Sequence, residues 1–429
     1  MFKSTSHSSA RNPYHHFESK SRLIQLALGL TTMVVAGEAA ASCNANQLAA
    51  SSALSSYLSN LNGGGSEVPI DYQIPTNFEI TETPTTHYEY SSSSYDTPCD
   101  ANTVSITPDQ IFAMGSLATR VNGGKITQPS DYFGLRQQGR RGGGAGDIDF
   151  PPLNFWSKID SDFGSRDTTF SQPGFEFDNH NFVFGADYRI FDNWVAGGSF
   201  AYRHNTADFD GGRGETVNDT YTGTIYTAYH ITDAAHVEAT ASYGGFAYDT
   251  RRNITYNGES SVAKASPEGG QYAFSWGGGY DFNIDAWTIA PYARGEYMNL
   301  DIDSYSESGS PYAVRFGKQN IESLTSTVGI QTAYAFSFPW GVLIPQLRGE
   351  WHHQFMDGGR QIETGFVNDP SGQSFIMTSD GPSRDYYTFG AEVSSVFAGG
   401  ISAFLAYETL QSYTSINSNK LMLGARLEF

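Results

Sequence analysis

The feature that most restricts what this chain can fold into is a period of two. From Asn154 to Phe429 apolar and polar residues alternate, again and again, in runs of about ten residues, the length that crosses a membrane as a strand. His180 to Phe191 places Phe182, Phe184, Ala186, Tyr188 and Ile190 on one face, and Val183, Gly185, Asp187 and Arg189 on the other. After Asp192-Asn193 the next run sets Trp194, Ala196, Gly198, Phe200 and Tyr202 against Val195, Gly197, Ser199 and Arg203, so the two form a hairpin. The pattern recurs from Tyr221 to Gly245, Tyr272 to Tyr297, Val328 to Phe355 and Tyr387 to Tyr407, with short turns at Asp233, Asp285-Ala286, Pro339-Trp340 and Gly399-Gly400. With a first strand near Phe155 to Phe163 and a last one carrying Leu421, Leu423, Ala425, Leu427 and Phe429, the count is about twelve, an even number as a closed meander requires.

The alternation has an aromatic side and a polar side, which a dry soluble core does not explain. Strands of this length, tilted, cross a hydrocarbon layer of roughly 30 Å. Within lipid an unpaired sheet edge is not tolerated, so the first and last strands must pair. Trp194, Trp287, Trp340 and Trp351 fall near strand ends, as in the aromatic girdles of membrane barrels, and short turns alternate with long polar excursions at 251–270, 303–319 and 357–383. Charged residues make up only 16% of the chain, below the roughly 25% of ordinary soluble domains. The expected fold is all-β: a twelve-stranded antiparallel transmembrane β-barrel, preceded by a short, partly helical exported segment.

Residues 1–41 read as an export signal for the Sec machinery. Lys20 and Arg22 precede an apolar run from Leu23 to Ala36 and the small-residue site Ala39-Ala40-Ala41. Cys43 follows at once, so it is either lipid-modified or paired with Cys99, the chain's other cysteine; an oxidising periplasm favours the disulfide. Residues 42–124 form the exported segment. One helix is predicted from the N-cap Asn44, with Gln47 three residues on and Leu54, Tyr57, Leu58 and Leu61 on one face. A second is predicted from Thr107-Pro108-Asp109-Gln110, with Ile111, Met114, Ala118 and Val121 on its apolar face. Residues 82–97 between them, rich in Thr, Ser and Tyr with scattered Pro, read as extended or disordered. Residues 125–153 are a flexible linker containing Arg140-Arg141, and 154–429 the barrel.

The stretches FVFGADYRIFDNWVAGGSFAY, IAPYARGEYMNL, IPQLRGEWHHQF and LMLGARLEF resemble the translocator barrel of autotransporters, the type V secretion proteins, over Asn154 to Phe429. The ending Leu421, Leu423, Ala425, Leu427, Phe429 is similar to the signal read by the barrel-assembly machinery. The resemblance implies a twelve-stranded barrel in outer-membrane lipid whose pore holds a helix or an extended linker joined to an exported passenger. The chain departs from the family in its short passenger, without internal repeats, and in lacking an Asn-Asn pair near the linker. Independently, alternation turns Arg189, Arg203, Glu238, Arg294, Glu296, Arg348, Glu350, Glu392, Arg426 and Glu428 inward, where opposed charges hold a linker or balance one another.

No catalytic, metal or cofactor site is predicted. Gly146-Asp147-Ile148 lacks a nucleophile, and the exported segment has only His87 as a base. His352 and His353 are adjacent and so face opposite ways, and Asp301, Asp303 and Glu307 lack the glycine and spacing of a calcium loop. A net charge of -20 argues against nucleic acid. The expected role is a bacterial outer-membrane barrel that exports or displays a short passenger at the cell surface; the alternative is a structural or adhesive barrel whose segment only plugs the lumen. Any surface ligand or host partner is left unspecified by the residues.

Overall fold

The computed structural model of the chain describes residues 43–61, 101–114 and 153–428. The export signal 1–41, residues 82–97, Cys99, Arg140-Arg141 and Phe429 lie outside the described residues, as does all of the linker except Leu153.

Twelve long strands close into a barrel. They are β1 (Leu153–Arg166), β2 (Phe175–Phe191), β3 (Trp194–Phe209), β4 (Gly214–His230), β5 (Ala235–Tyr256), β6 (Glu268–Tyr280), β7 (Trp287–Ile302), β8 (Gln319–Tyr334), β9 (Gly341–Gln354), β10 (Asp385–Phe397), β11 (Ile401–Gln411) and β12 (Ile416–Glu428). Each pairs antiparallel with the next, and the ring shuts where β1 meets β12, from Asn154↔Glu428 to Arg166↔Ile416. The first strand is longer at both ends than the predicted 155–163. Outward residues are apolar yet uncovered: Tyr243 is 73% exposed and Ile225 69%, which only a lipid surround makes favourable. At the short-turn end Gly399 and Gly400 both take positive φ, 91° and 80°, to reverse the chain between β10 and β11.

Inside, large rings lie flat over glycines of the neighbouring strand. A Cβ on Gly185 would sit 2.5 Å from the Trp156 indole, which donates a 2.7 Å hydrogen bond to the Tyr226 hydroxyl across β2 and β3. Gly185→Val is therefore expected to displace the indole and cost about 1–3 kcal/mol, the usual toll of overpacking. A urea titration followed by heat-modifiable gel mobility measures it; an unshifted midpoint would refute the clash.

The strands run beyond membrane needs. β5 has 22 residues and β2 and β4 have 17, against the roughly 9–11 that span lipid. The excess projects at the long-loop end, which in such barrels faces outward. There β5 continues through an Asn257-Gly258 turn, both residues at positive φ, into a short strand at Glu259–Ala265. Two excursions read from the sequence as polar loops instead build a separate four-stranded sheet from Tyr305–Ser306, Val314–Phe316, Gln361–Phe366 and Phe375–Thr378.

Two helices of the N-terminal segment pack on this outer assembly. α1 (Ala45–Leu61) opens with the expected reciprocal cap: the Gln47 amide donates to the Asn44 side chain at 2.8 Å, and the Asn44 amide to the Gln47 side chain at 2.9 Å. A short helix that the sequence did not announce, α2 (Ala101–Ile106), precedes the predicted second one. The predicted helix starts in place: after a turn at Asp109 and Gln110 the chain is helical over 111–114, the last described residues before Leu153. Ile111, Phe112, Ala113 and Met114 are all buried, so this piece has no solvent face of the kind a surface helix keeps.

Candidate functional site: the lumen and its outer mouth

The inner wall changes character along the strands. Inward positions of β5 run Glu238, Thr240, Ser242 and Gly244, then Phe246, Tyr248 and Ile254; those of β7 run Tyr292, Arg294 and Glu296, then Met298, Leu300 and Ile302. β2 ends likewise on Phe175 and Phe177, and β3 on Ala207 and Phe209. On these strands membrane depth is polar inside and the outer rim apolar; toward the short-turn end the wall also carries the buried groups Trp156, Val183 and Tyr226, and Val342 with Ile344. Ala50, Leu54, Tyr57, Ile106, Ile111, Phe112 and Met114 of the segment fill that rim, together with Val314, Phe316, Ile362, Phe366 and Met377 of the outer sheet.

Polar grips fix the segment. Asn46 bonds both backbone groups of Thr378 at 2.8 Å, as an extra strand would, and so covers the edge of the outer sheet. Arg213 donates to the carbonyls of Val104 and Thr107 and to Asp109 at 2.6 Å. Arg252 donates to the Ile106 carbonyl, Arg360 to that of Phe112, and the Tyr248 hydroxyl to that of Met114. Burial pushes the Asp109 carboxyl up and outweighs the opposing pull of Arg213. At Asp369 burial acts the same way but loses to hydrogen bonds from Ser371 and from Asn60 of α1, which hold the carboxyl below its usual range. Cys43 is disulfide-bonded, and its expected partner Cys99 lies outside the described residues.

The inward charges read from the sequence sit as follows. Arg348 pairs with Glu408 at 3.1 Å, and Arg426 with Asp187 at 2.9 Å and Glu428 at 3.2 Å. Arg294 lies 3.9 Å from Glu350, which accepts from the Tyr292 and Thr388 hydroxyls; Glu392 accepts from Gln346. Arg203 faces Asp160, and Glu296 faces Arg294. Arg189 and Glu238 occupy inward, half-buried positions. Sequence reading missed Lys158, Asp160, Asp162 and Glu408, although alternation with Phe155, Ile159, Phe163 and Tyr407 marks them as inward; it put Asp187 on the inner face without counting it among the lumen charges. It also missed Arg213, Arg252 and Arg360, which act beyond the membrane.

Asp301, Asp303 and Glu307 are not brought together. Asp301 meets Lys318 and Asn320, whereas Glu307 is buried against Arg252. His352 faces inward between Thr327 and Thr388, and His353 outward against Asp385.

Comparison with known proteins matches this geometry. The family model described as the autotransporter beta-domain matches residues 155–408. An extracellular serine protease of Serratia marcescens is 25% identical over 271 residues, 62% of this chain and 25% of that protein. Esterase EstA of Pseudomonas aeruginosa is 26% identical over 198 residues, 45% of this chain and 29% of that protein. The chain thus spans little more than a quarter of the curated relatives it matches. The solved translocator domain of the autotransporter NalP from Neisseria meningitidis superposes with a TM-score of 0.56 at 13% identity, covering 75% of this chain and all of that one. A closed twelve-stranded ring with a greasy exterior, a charged lumen and a family match across most of its strands places the protein in the outer membrane, and the chain belongs to the autotransporter family through its beta-domain.

Proposed function

We propose that this barrel carries its own N-terminal segment outward and retains it as a folded cap on its outer mouth. The observation that supports this reading is the switch of the inner wall from polar to apolar at the rim where the segment sits. A lumen built only to balance charge has no use for Phe246, Tyr248, Leu300 and Ile302 facing inward.

The chain path points the same way. Met114 packs at the long-loop end and Leu153 opens β1 at the short-turn end, so residues 115–152 join opposite ends. A backbone crossing lipid outside the ring would leave unpaired groups at several kcal/mol each, which directs the connection through the lumen. Arg294, Glu296, Arg348, Glu350 and Glu392 then flank that path. We assign Leu421, Leu423, Ala425, Leu427 and Phe429 to recognition by the assembly machinery, and a Cys43–Cys99 bond to closing the loop between α1 and α2. The beta-domain is a translocator barrel and not a catalytic domain; we assign the N-terminal segment a structural role.

An epitope inserted after Gly64, between α1 and α2, tests the proposal. Antibody is expected to reach it on intact cells, with the full chain still in the membrane fraction. Labelling only after the outer membrane is permeabilised would leave a plug entered from the periplasm as the correct reading.

A further inference from the structure

Beneath the Phe112 turn lies a cavity of about 220 Å³, smaller than the roughly 300–1,000 Å³ of pockets that take drug-sized ligands. Beyond the bond from the Phe355 amide to the Leu324 carbonyl and the Gln354 side chain's bond to Ser323, β8 and β9 no longer pair, and Asn320, Ser323, Met356 and Gly358 border the cavity at that gap. Arg166 and Arg360 line its outer part.

The Arg166 guanidinium is incompletely satisfied, and that of Arg360 is bonded only to neutral acceptors. Arg166 is 8% exposed and spends one nitrogen on Asp380 at 2.9 Å, while its Nε has no partner. Arg360 donates to the Gln319 side chain at 3.3 Å and to the Phe112 carbonyl at 3.1 Å, and no carboxylate among the described residues lies within ion-pair range of it. Gln319, 5% exposed, uses its oxygen on Arg360 and leaves its Nε2 group without an acceptor. Burial pushes Arg360 down to about 10, with Tyr248 opposing and the like charge of Arg166 adding to the fall. Of the two cations only Arg166 has an ion-pair partner, Asp380; Asp162 and Glu322 also line the cavity, and the unpaired groups at the arginines, Arg166 Nε on the cavity wall and Gln319 Nε2 beside Arg360, are N–H donors. That donor set suits an oxyanion, since each unpaired buried donor carries a desolvation cost that a charged acceptor removes. Glu296, Glu350 and Glu408 also line the cavity, so a negative ligand is confined to the side of Arg166 and Arg360.

We propose that the vestibule binds one small oxyanion, a phosphate or carboxylate group that is either free or the headgroup of a lipid reaching in through the gap. Because Arg360 also holds the Phe112 carbonyl, the ligand would tie the cap to the barrel rim.

The test uses the full mature chain in detergent micelles and phosphorus NMR. Inorganic phosphate at constant ionic strength is expected to show saturable line broadening, weakened about tenfold or more in R360Q, which removes a charge, and in R166K, which keeps the charge but loses Nε. Broadening of phosphatidic acid in mixed micelles without any effect on inorganic phosphate would assign the site to a headgroup. If R360Q loses heat-modifiable mobility, R166K decides alone. No broadening with either probe, or broadening unchanged in the folded variants, overturns the proposal.

Discussion

Deleting residues 42–124 is expected to leave a folded barrel with an unravelled rim and an open pore. Ile106, Ile111, Phe112 and Met114 are each 3% exposed or less, and burial of such side chains is worth roughly 1.5–3 kcal/mol apiece. Without them Tyr248, Ile254, Leu300 and Ile302 face water, and the outer sheet loses the helix that covers Phe366 and Met377. The membrane part has its own complete hydrogen-bonded ring and does not depend on the segment. Limited proteolysis should therefore cut within 303–319 and 357–383 in the deletion variant at least tenfold faster than in the intact chain, and planar-bilayer recordings should show conductance that the intact chain lacks. Equal resistance and equal conductance would mean that the segment neither completes the rim nor closes the mouth.

Substitution of Glu307 by alanine should cost about 3–5 kcal/mol of cap stability, the usual result of stranding one partner of a buried ion pair. Arg252 and Glu307 are bidentate, at 3.0 and 2.6 Å, with side chains only 4% and 6% exposed. The guanidinium also holds the carbonyls of Ile106 and Tyr312, and the carboxylate accepts the Val314 amide at 3.0 Å, so one pair joins β5, the segment and the outer sheet. Replacing both residues together, Arg252→Met with Glu307→Leu, should recover much of the loss, because two apolar groups leave no charge stranded. A double-mutant cycle on the cap's proteolysis rate gives the coupling; a loss below 1 kcal/mol in the single variant would show that the pair is incidental.

Much of the barrel was readable because its environment repeats every second residue. Phe182, Phe184 and Tyr188 on one side of Asp187 and Arg189 already define wall, membrane and lumen, and the pairing of β1 with β12 follows from the intolerance of lipid for an edge. The Asn44 and Gln47 cap was legible because it is local. The cap was not. Phe175, Phe177, Phe246, Tyr248, Leu300 and Ile302 obey the alternation yet sit on the inward face, and the rule of a wet interior passed over them. Strand length was the available warning, since residues beyond the span have no lipid to answer to. In the outer sheet Val314 and Phe316, Ile362 and Phe366, and Phe375 and Met377 are short alternations set among glycine, serine and aspartate, too brief to stand out. Thr107-Pro108 carried a local start signal that the structure keeps, with helix over 111–114, whereas the six-residue α2 before it is too short to show a period.

The shared construction of the rim has a consequence for the order of events during biogenesis. All four strands of the sheet beneath α1 belong to the loops that follow β7 and β9, so on the periplasmic side the segment has nothing to fold against. On the proposed route it must travel as an open chain and gains its tertiary contacts only on arrival. Those contacts then oppose backward sliding, so the free energy of docking gives the passage a direction without nucleotide hydrolysis.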